Sequence, residues 1–124
     1  MPRLAGERPA VLIVDDEILL RMHAMAVFAE GGFTVIEAAN ADEAIAILER
    51  RDDIRVVVTD AQMPGSMDGV RLAGVIRRRW PPIALIVTSG VLKTAATLPP
   101  DVPFFAKPFD HNDVLRTTRR LLGM

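Results

Sequence analysis

Apolar positions along this chain gather into five short blocks, and between them lie longer stretches where apolar and polar residues alternate at helical spacing. Residues 10–14 (Ala, Val, Leu, Ile, Val) form an unbroken run, and residues 55–59 pass through Val56, Val57 and Val58 to Thr59. Runs of this kind suit strands buried on both faces of a parallel sheet. Residues 83–87 make a similar block, and residues 104–106 a short fifth strand. Residues 33–38 are mixed, with Thr34, Ile36 and Ala38 on one face and Val35 and Glu37 on the other, which fits an edge strand.

The stretches between predict helices. A first helix is expected over about residues 18–30, since Leu19, Met22, Ala26 and Ala29 recur at i, i+3, i+7 and i+10 and Gly31-Gly32 supplies a stop. Its methionines read as core filler. Asn40 can cap a second helix, with Glu43 placed to reach back, and Ala44, Ile45, Ile47 and Leu48 follow before the solvated end Arg50-Arg51-Asp52-Asp53. A third helix follows Asp68-Gly69 and carries Val70, Leu72, Ala73, Val75, Ile76 and Trp80 until Pro81-Pro82 ends it. Residues 91–102 hold Thr94, Thr97, Pro99 and Pro100 and leave room only for a short or irregular fourth helix. Asp110 caps a last helix in which Val114, Leu115, Thr118, Leu121 and Leu122 are expected to face the core. Five strands alternating with helical crossovers define an α/β fold, a parallel sheet with helices on both faces.

Composition narrows the function. A chain of 124 residues builds one domain that buries roughly two thirds of its unfolded surface. The net charge of −1 attracts neither nucleic acid nor an anionic membrane. Arg77, Arg78 and Arg79 fall in the last turn of the third helix, where the helix dipole favours cations, so they require no polyanionic partner. The absence of cysteine removes disulfides and thiolate chemistry and is compatible with a reducing cytoplasm. Residues 1–9 lack the apolar segment of a signal peptide and read as a flexible leader. No apolar run approaches the ~20 residues that span a bilayer. His23 and His111 have no partner at a metal-ligand spacing and read as structural.

The chemistry sits where strands end. Asp15 and Asp16, with Glu17 behind them, close the first strand, and Asp60 closes the third. Open α/β sheets bind ligands along that edge. Carboxylates brought so close repel unless a hard cation lies between them, and Mg2+ takes carboxylate and carbonyl oxygens together with phosphate. The fourth strand delivers Thr88, Ser89 and Gly90 to the same rim, two small hydroxyl residues able to donate to an oxyanion and a glycine that lets one approach, and the fifth delivers Lys107.

Four separated motifs, Val14-Asp15-Asp16-Glu17, Thr59-Asp60-Ala61-Gln62-Met63-Pro64 with Asp68-Gly69, Val87-Thr88-Ser89-Gly90 and Lys107-Pro108-Phe109, stand in order at strand ends. With them the chain resembles the receiver domain of two-component response regulators over residues 10–122. The resemblance implies a flavodoxin-like sheet of order 2-1-3-4-5 and Asp60 as phosphoacceptor. It implies Mg2+ held by Asp16, Asp60 and the Gln62 backbone carbonyl, with Asp15 acting largely through a water. Thr88 would hydrogen-bond the phosphoryl group, Lys107 would pair with one of its oxygens, and a cis peptide would precede Pro108. Phe104, three residues before the lysine, would be the aromatic residue that turns inward as Thr88 moves.

The implied function is a signalling switch that takes its phosphoryl group from a histidine kinase or histidine phosphotransfer protein and catalyses only its own phosphorylation and dephosphorylation. A downstream protein target is expected to be its readout, with specificity on the first helix and the loops around Asp60 and Lys107. Residues 10–124 would be a receiver with no output domain behind it, a monomer or weak dimer in the cytoplasm. Seven residues, 61–67, separate Asp60 from Asp68-Gly69, against an expected six, so the loop beside the acceptor carries an insertion. The alternatives are a phosphorylation-independent adaptor with the same fold, a receiver excised from a hybrid kinase, and an enzyme turning over external phosphoesters. The last is disfavoured by the lack of a lid or second domain to enclose a substrate.

Overall fold

A computed structural model describes residues 8–124. Of the leader expected over residues 1–9, residues 1–7 therefore lie outside the described residues. The five strands are β1 (Ala10–Val14), β2 (Thr34–Ala38), β3 (Ile54–Asp60), β4 (Ala84–Ser89) and β5 (Phe104–Ala106). They pair in parallel in the order β2-β1-β3-β4-β5, so the mixed strand β2 does lie at an edge. The helices are α1 (Ile18–Glu30), α2 (Ala41–Arg50), α3 (Gly69–Arg79) and α4 (His111–Leu121). In place of a further α-helix the proline-flanked stretch forms a 3-10 turn, Leu92–Thr97, the short fourth helix that the sequence predicts.

Every residue of β1 is buried, because consecutive side chains of a central strand enter opposite cores. Leu12 and Val14 join Val57, Val87, Leu48, Leu72 and Ile76 under α2 and α3. Val11 and Ile13 join Val56, Val58, Ile86, Phe28 and Val114 under α1 and α4. Two helices thus cover each face of the sheet.

The cap of α2 follows its sequence signal, and a side-chain cap also opens α3. The Asn40 side chain accepts from the Glu43 N–H at 2.9 Å, while the Glu43 carboxylate reaches back to the Ala39 N–H at 3.1 Å and to the Asn40 side-chain amide at 3.3 Å. Asp68 accepts from the Arg71 N–H at 2.9 Å. Each cap satisfies backbone donors that the first helical turn leaves without partners.

In α1 the expected core stripe is wrong. Leu19 and Met22 are 78% and 56% exposed, and Ala26 and Ala29 also face solvent. The core is met instead by Ala24 and Phe28, with Met25 and Val27 partly buried beside them. The helix is apolar on nearly every side, so periodicity selects no face, and the large Phe28 ring claims the core by packing edge-on to Phe33 at 5.3 Å. Met22 is accordingly not core filler. On α4, Leu121 is also largely exposed, while Val114, Leu115 and Thr118 are buried as expected.

Candidate functional site

Each component of the rim is fixed by backbone bonds between strand ends. At the end of β1 the Asp15 N–H donates to the Ala38 carbonyl at 3.1 Å, and the Asp15 carboxylate accepts from the Glu17 N–H at 2.9 Å. The Arg21 guanidinium donates to the Asp15 carbonyl at 2.7 Å and to the Glu37 carboxylate at 2.8 Å, tying α1 to the ends of β1 and β2. At β3 the Ala61 N–H donates to the Thr88 carbonyl and the Gly69 N–H to the Ala61 carbonyl, both at 2.8 Å. Gly69 has to lack a side chain here: a Cβ would stand 1.8 Å from the Asp60 carbonyl oxygen. Past β5 the Lys107 N–H donates to the Ser89 carbonyl at 2.8 Å, and the Lys107-Pro108 peptide is cis, as the resemblance implies.

These constraints bring Asp15, Asp16, Asp60 and Lys107 together. One carboxylate oxygen from each of the three aspartates lies within 4.8 Å of the others. Asp60 is only 3% exposed, and its Oδ2 accepts from the Lys107 Nζ at 3.0 Å, while its Oδ1 faces the Gln62 N–H at 3.4 Å. The Lys107 ammonium also reaches Glu17 at 3.4 Å.

The charges respond to this crowding. Burial pushes the Asp15 carboxyl above its ordinary value; the Glu17 N–H partly counteracts that shift, and the Asp60 charge adds to it. For Lys107 burial acts to lower the value, but the hydrogen bond to Asp60 and the charges of Asp60, Asp15 and Glu17 outweigh it and hold the ammonium charged. The rim is an excess of negative charge around one cation, a donor set of hard oxygens that suits a divalent metal ion.

Thr88 is buried and pairs in register with Asp60, so both side chains project from the α1/α4 face of the sheet. Ser89 corrects an expectation. Being the next residue of the same strand, it projects to the opposite face, where it bonds Gln62 and Thr94 rather than standing beside Asp60. Phe104 pairs in register with Val87 and packs, partly buried, against the α2/α3 core. In the 61–67 loop Gly65 adopts a φ of +113°, which favours glycine, and Ser66 bonds Asp42 at 2.6 Å, tying the loop to α2.

His23 and His111, which the sequence gives no reason to join, meet with ring centroids 4.5 Å apart between α1 and α4. His111 also packs against Phe109 at 5.0 Å and is held below its ordinary pKa, first by burial and then by His23. With Asp15, Asp60 and Thr88 it lines a cavity of about 20 Å3. Arg21, Thr94 and the side chains of Gln62 and Ser89 are the rim contacts that sequence reasoning missed. Only the alternation of faces along β4 held a signal for one of them.

A family model for the response regulator receiver domain matches residues 11–119. The sensor kinase CckA of Brucella abortus is 36% identical over 117 residues, which cover 90% of this chain and 12% of that protein. A putative NtrX-like response regulator of Rickettsia bellii is 33% identical over 89% of this chain and 24% of its own length. The chain thus spans a small part of these relatives. Among solved structures, a response regulator receiver protein from Sinorhizobium medicae superimposes with a TM-score of 0.86 at 28% identity, covering 94% of this chain and 96% of that one. The receiver domain of the hybrid histidine kinase CckA gives 0.77 at 28% identity, over 91% of this chain and 98% of its own. Residues 11–119, nearly the whole described chain, therefore make this protein a member of the response regulator receiver domain family of two-component systems.

Proposed function

We propose that Asp60 accepts a phosphoryl group from a phosphohistidine of a histidine kinase or histidine phosphotransfer protein and later loses it to water. The observation that supports this reading best is the buried Asp60 carboxylate, flanked by two further carboxylates and paired to Lys107 at 3.0 Å. An Asp60 carboxylate oxygen forms the new P–O bond as the P–N bond to the donor imidazole breaks, its electron pair staying with the imidazole. Lys107 shifts from the carboxylate to an oxygen of the incoming group, and the Thr88 hydroxyl donates to another. Asp15, Asp16, Asp60 and the Gln62 backbone carbonyl would hold Mg2+. Three hard oxygen donors within 4.8 Å, and an Asp15 carboxyl whose ionised form the fold disfavours, fit that ion. Bound there, Mg2+ would neutralise the charge on carboxylate and phosphoryl oxygens.

Movement of Thr88 toward the phosphoryl group, followed by Phe104, would carry the signal away from the rim. Residues 10–124 act as the receiver unit and catalyse nothing beyond their own phosphorylation and dephosphorylation. The exposed Ile18, Leu19 and Met22, beside the rim on α1, suit an apolar partner surface, and we assign kinase or phosphotransfer-protein docking there. The absence of cysteine is compatible with the reducing cytoplasm in which such a kinase donor acts, and we propose that location for a monomer or weak dimer. Similarity to a receiver within a sensor kinase favours a second context, in which the same chemistry serves a hybrid kinase.

The test is intact mass after incubation with acetyl phosphate, with and without Mg2+, on wild type and Asp60→Asn. A single phosphoryl adduct that needs both Mg2+ and Asp60 is expected. A folded wild type that gains no adduct with acetyl phosphate and does not bind beryllofluoride would overturn the reading in favour of a phosphorylation-independent adaptor.

A further inference from the structure

On the α2/α3 face of the rim, three side chains close a ring of hydrogen bonds. The Ser89 hydroxyl donates to Gln62 Oε1 at 2.5 Å, the Gln62 Nε2 donates to the Thr94 hydroxyl at 3.2 Å, and the hydroxyls of Ser89 and Thr94 are 3.0 Å apart. The Val91 N–H completes the set by donating to Ser89 Oγ at 2.9 Å. Ser89 and Thr94 are buried, and within the ring every hydroxyl proton and both ends of the Gln62 amide have a partner. Small closed networks of this kind polarise one another and fix a single arrangement.

What the ring fixes is the Gln62 peptide. Its N–H faces the Asp60 carboxylate at 3.4 Å, and its carbonyl belongs to the proposed Mg2+ ligand set. Thr94 lies in the 3-10 turn Leu92–Thr97, thirty-two residues along the chain. That turn and the Val91 before it present Leu92 and Val91 to solvent, 73% and 49% exposed. We infer that Gln62, Ser89 and Thr94 are positioning residues that hold the Gln62 backbone for metal binding and couple the occupied rim to the order of the 3-10 turn. This rests on the reading of the rim as a Mg2+ and phosphoryl site. It acts on the opposite face of the sheet from Thr88, through hydrogen bonds that neither Thr88 nor Phe104 makes.

The coupling predicts two linked effects. Binding of Mg2+ with beryllofluoride slows amide exchange in Leu92–Thr97, and removing a ring member weakens Mg2+. Breaking one neutral hydrogen bond is expected to weaken binding by about three- to tenfold.

The experiment measures Mg2+ affinity calorimetrically and hydrogen exchange with and without Mg2+-beryllofluoride on wild type, Gln62→Met, Thr94→Val and Thr94→Ser. Gln62 is exposed, so Gln62→Met tests the ring even if Thr94→Val unfolds. The expected result is weaker Mg2+ binding and lost exchange protection in Gln62→Met and Thr94→Val, with Thr94→Ser, which keeps the hydroxyl, within about twofold of wild type. A Mg2+ affinity in Gln62→Met equal to that of wild type overturns the inference while leaving the phosphoryl switch intact. A wild type that binds neither Mg2+ nor beryllofluoride overturns both.

Discussion

Replacing Asp15 by Asn removes a charge from the rim while keeping its geometry. The Asn side-chain oxygen still accepts from the Glu17 N–H, a bond that measures 2.9 Å in the present chain. What disappears is a buried carboxylate whose ionised form the fold disfavours, first because of its burial and then because of the Asp60 charge. Two unit charges at the 4.8 Å that bounds the three carboxylate oxygens repel by about 1 kcal/mol in bulk water and about 3.5 kcal/mol at a protein surface. Lys107 offsets part of that repulsion. Asp15→Asn is therefore expected to stabilise the metal-free protein by about 1–3 kcal/mol. For 124 residues, each kcal/mol raises Tm by about 4 °C.

The assay is thermal unfolding in EDTA followed by calorimetry and by the fluorescence of Trp80, the single tryptophan. The sign with pH is fixed. A carboxyl raised in the folded state costs nothing below its unfolded value of 3.8, and the cost grows as pH rises past that value until the folded group is fully ionised. The advantage of Asp15→Asn should thus be full at neutral pH and close on acidification toward about pH 4. Mg2+ should narrow the gap. At ten times its Kd it adds about 1.4 kcal/mol to the wild type, and less to a variant that has lost a ligand charge. A metal-free Tm for Asp15→Asn at or below that of the wild type would refute the crowding argument. So would an advantage that persists unchanged at pH 3.5.

Other consequences follow from single contacts. Gly69→Ala sets a methyl group 1.8 Å from the Asp60 carbonyl oxygen, a backbone atom with no room to give. Urea unfolding should show a loss of about 2 kcal/mol or more, together with slower phosphorylation; a loss under about 0.5 kcal/mol would mean that the β3–α3 junction yields easily. Lys107→Met leaves the buried Asp60 without its cation and should lower metal-free stability by up to about 3 kcal/mol. Because the Lys107 pKa is raised in the fold, its stabilising contribution is complete below its unfolded value of 10.5, as long as the carboxylates are ionised, and fades as pH rises through the folded value, so melts of wild type and variant should converge at high pH. Asn40→Ala removes the cap of α2 and should cost about 1 kcal/mol by urea titration with phosphorylation unchanged.

What could be read from the sequence and what could not divide along a physical line. The strands were legible because β1, β3 and β4 are buried on both faces, so solvent leaves no polar mark until each run reaches the rim. That is also why Asp15, Asp60 and Thr88 stand out as site residues: each ends an otherwise apolar run. Helix α2 was legible through its capping side chain, and α3 through its apolar residues and the Pro81-Pro82 stop. Helix α1 was legible as a helix but not as to which way it faces, because Ile18, Leu19, Met22, Met25, Val27 and Phe28 surround its axis. The choice of face was made by ring volume at Phe28, a property of the assembled core, and periodicity could not supply it.

The contacts that shape the rim show the same limit more sharply. Asp60 and Lys107 lie forty-seven residues apart, and only the joint appearance of four strand-end motifs suggested that they meet. At Ser89 the alternation of the strand carries the direction: adjacent residues of one strand face opposite ways, so Thr88 and Ser89 cannot both turn toward Asp60. Its true partners could not be foreseen, because Gln62 and Thr94 are polar residues in irregular chain, with no periodicity to report their direction. Irregular segments are held by specific hydrogen bonds rather than by burial of a stripe, and such bonds leave no pattern in the one-dimensional text. The Gln62–Ser89–Thr94 ring and the His23–His111 contact were accordingly invisible until the fold assembled them, although the ring touches the same peptide that faces the Asp60 carboxylate.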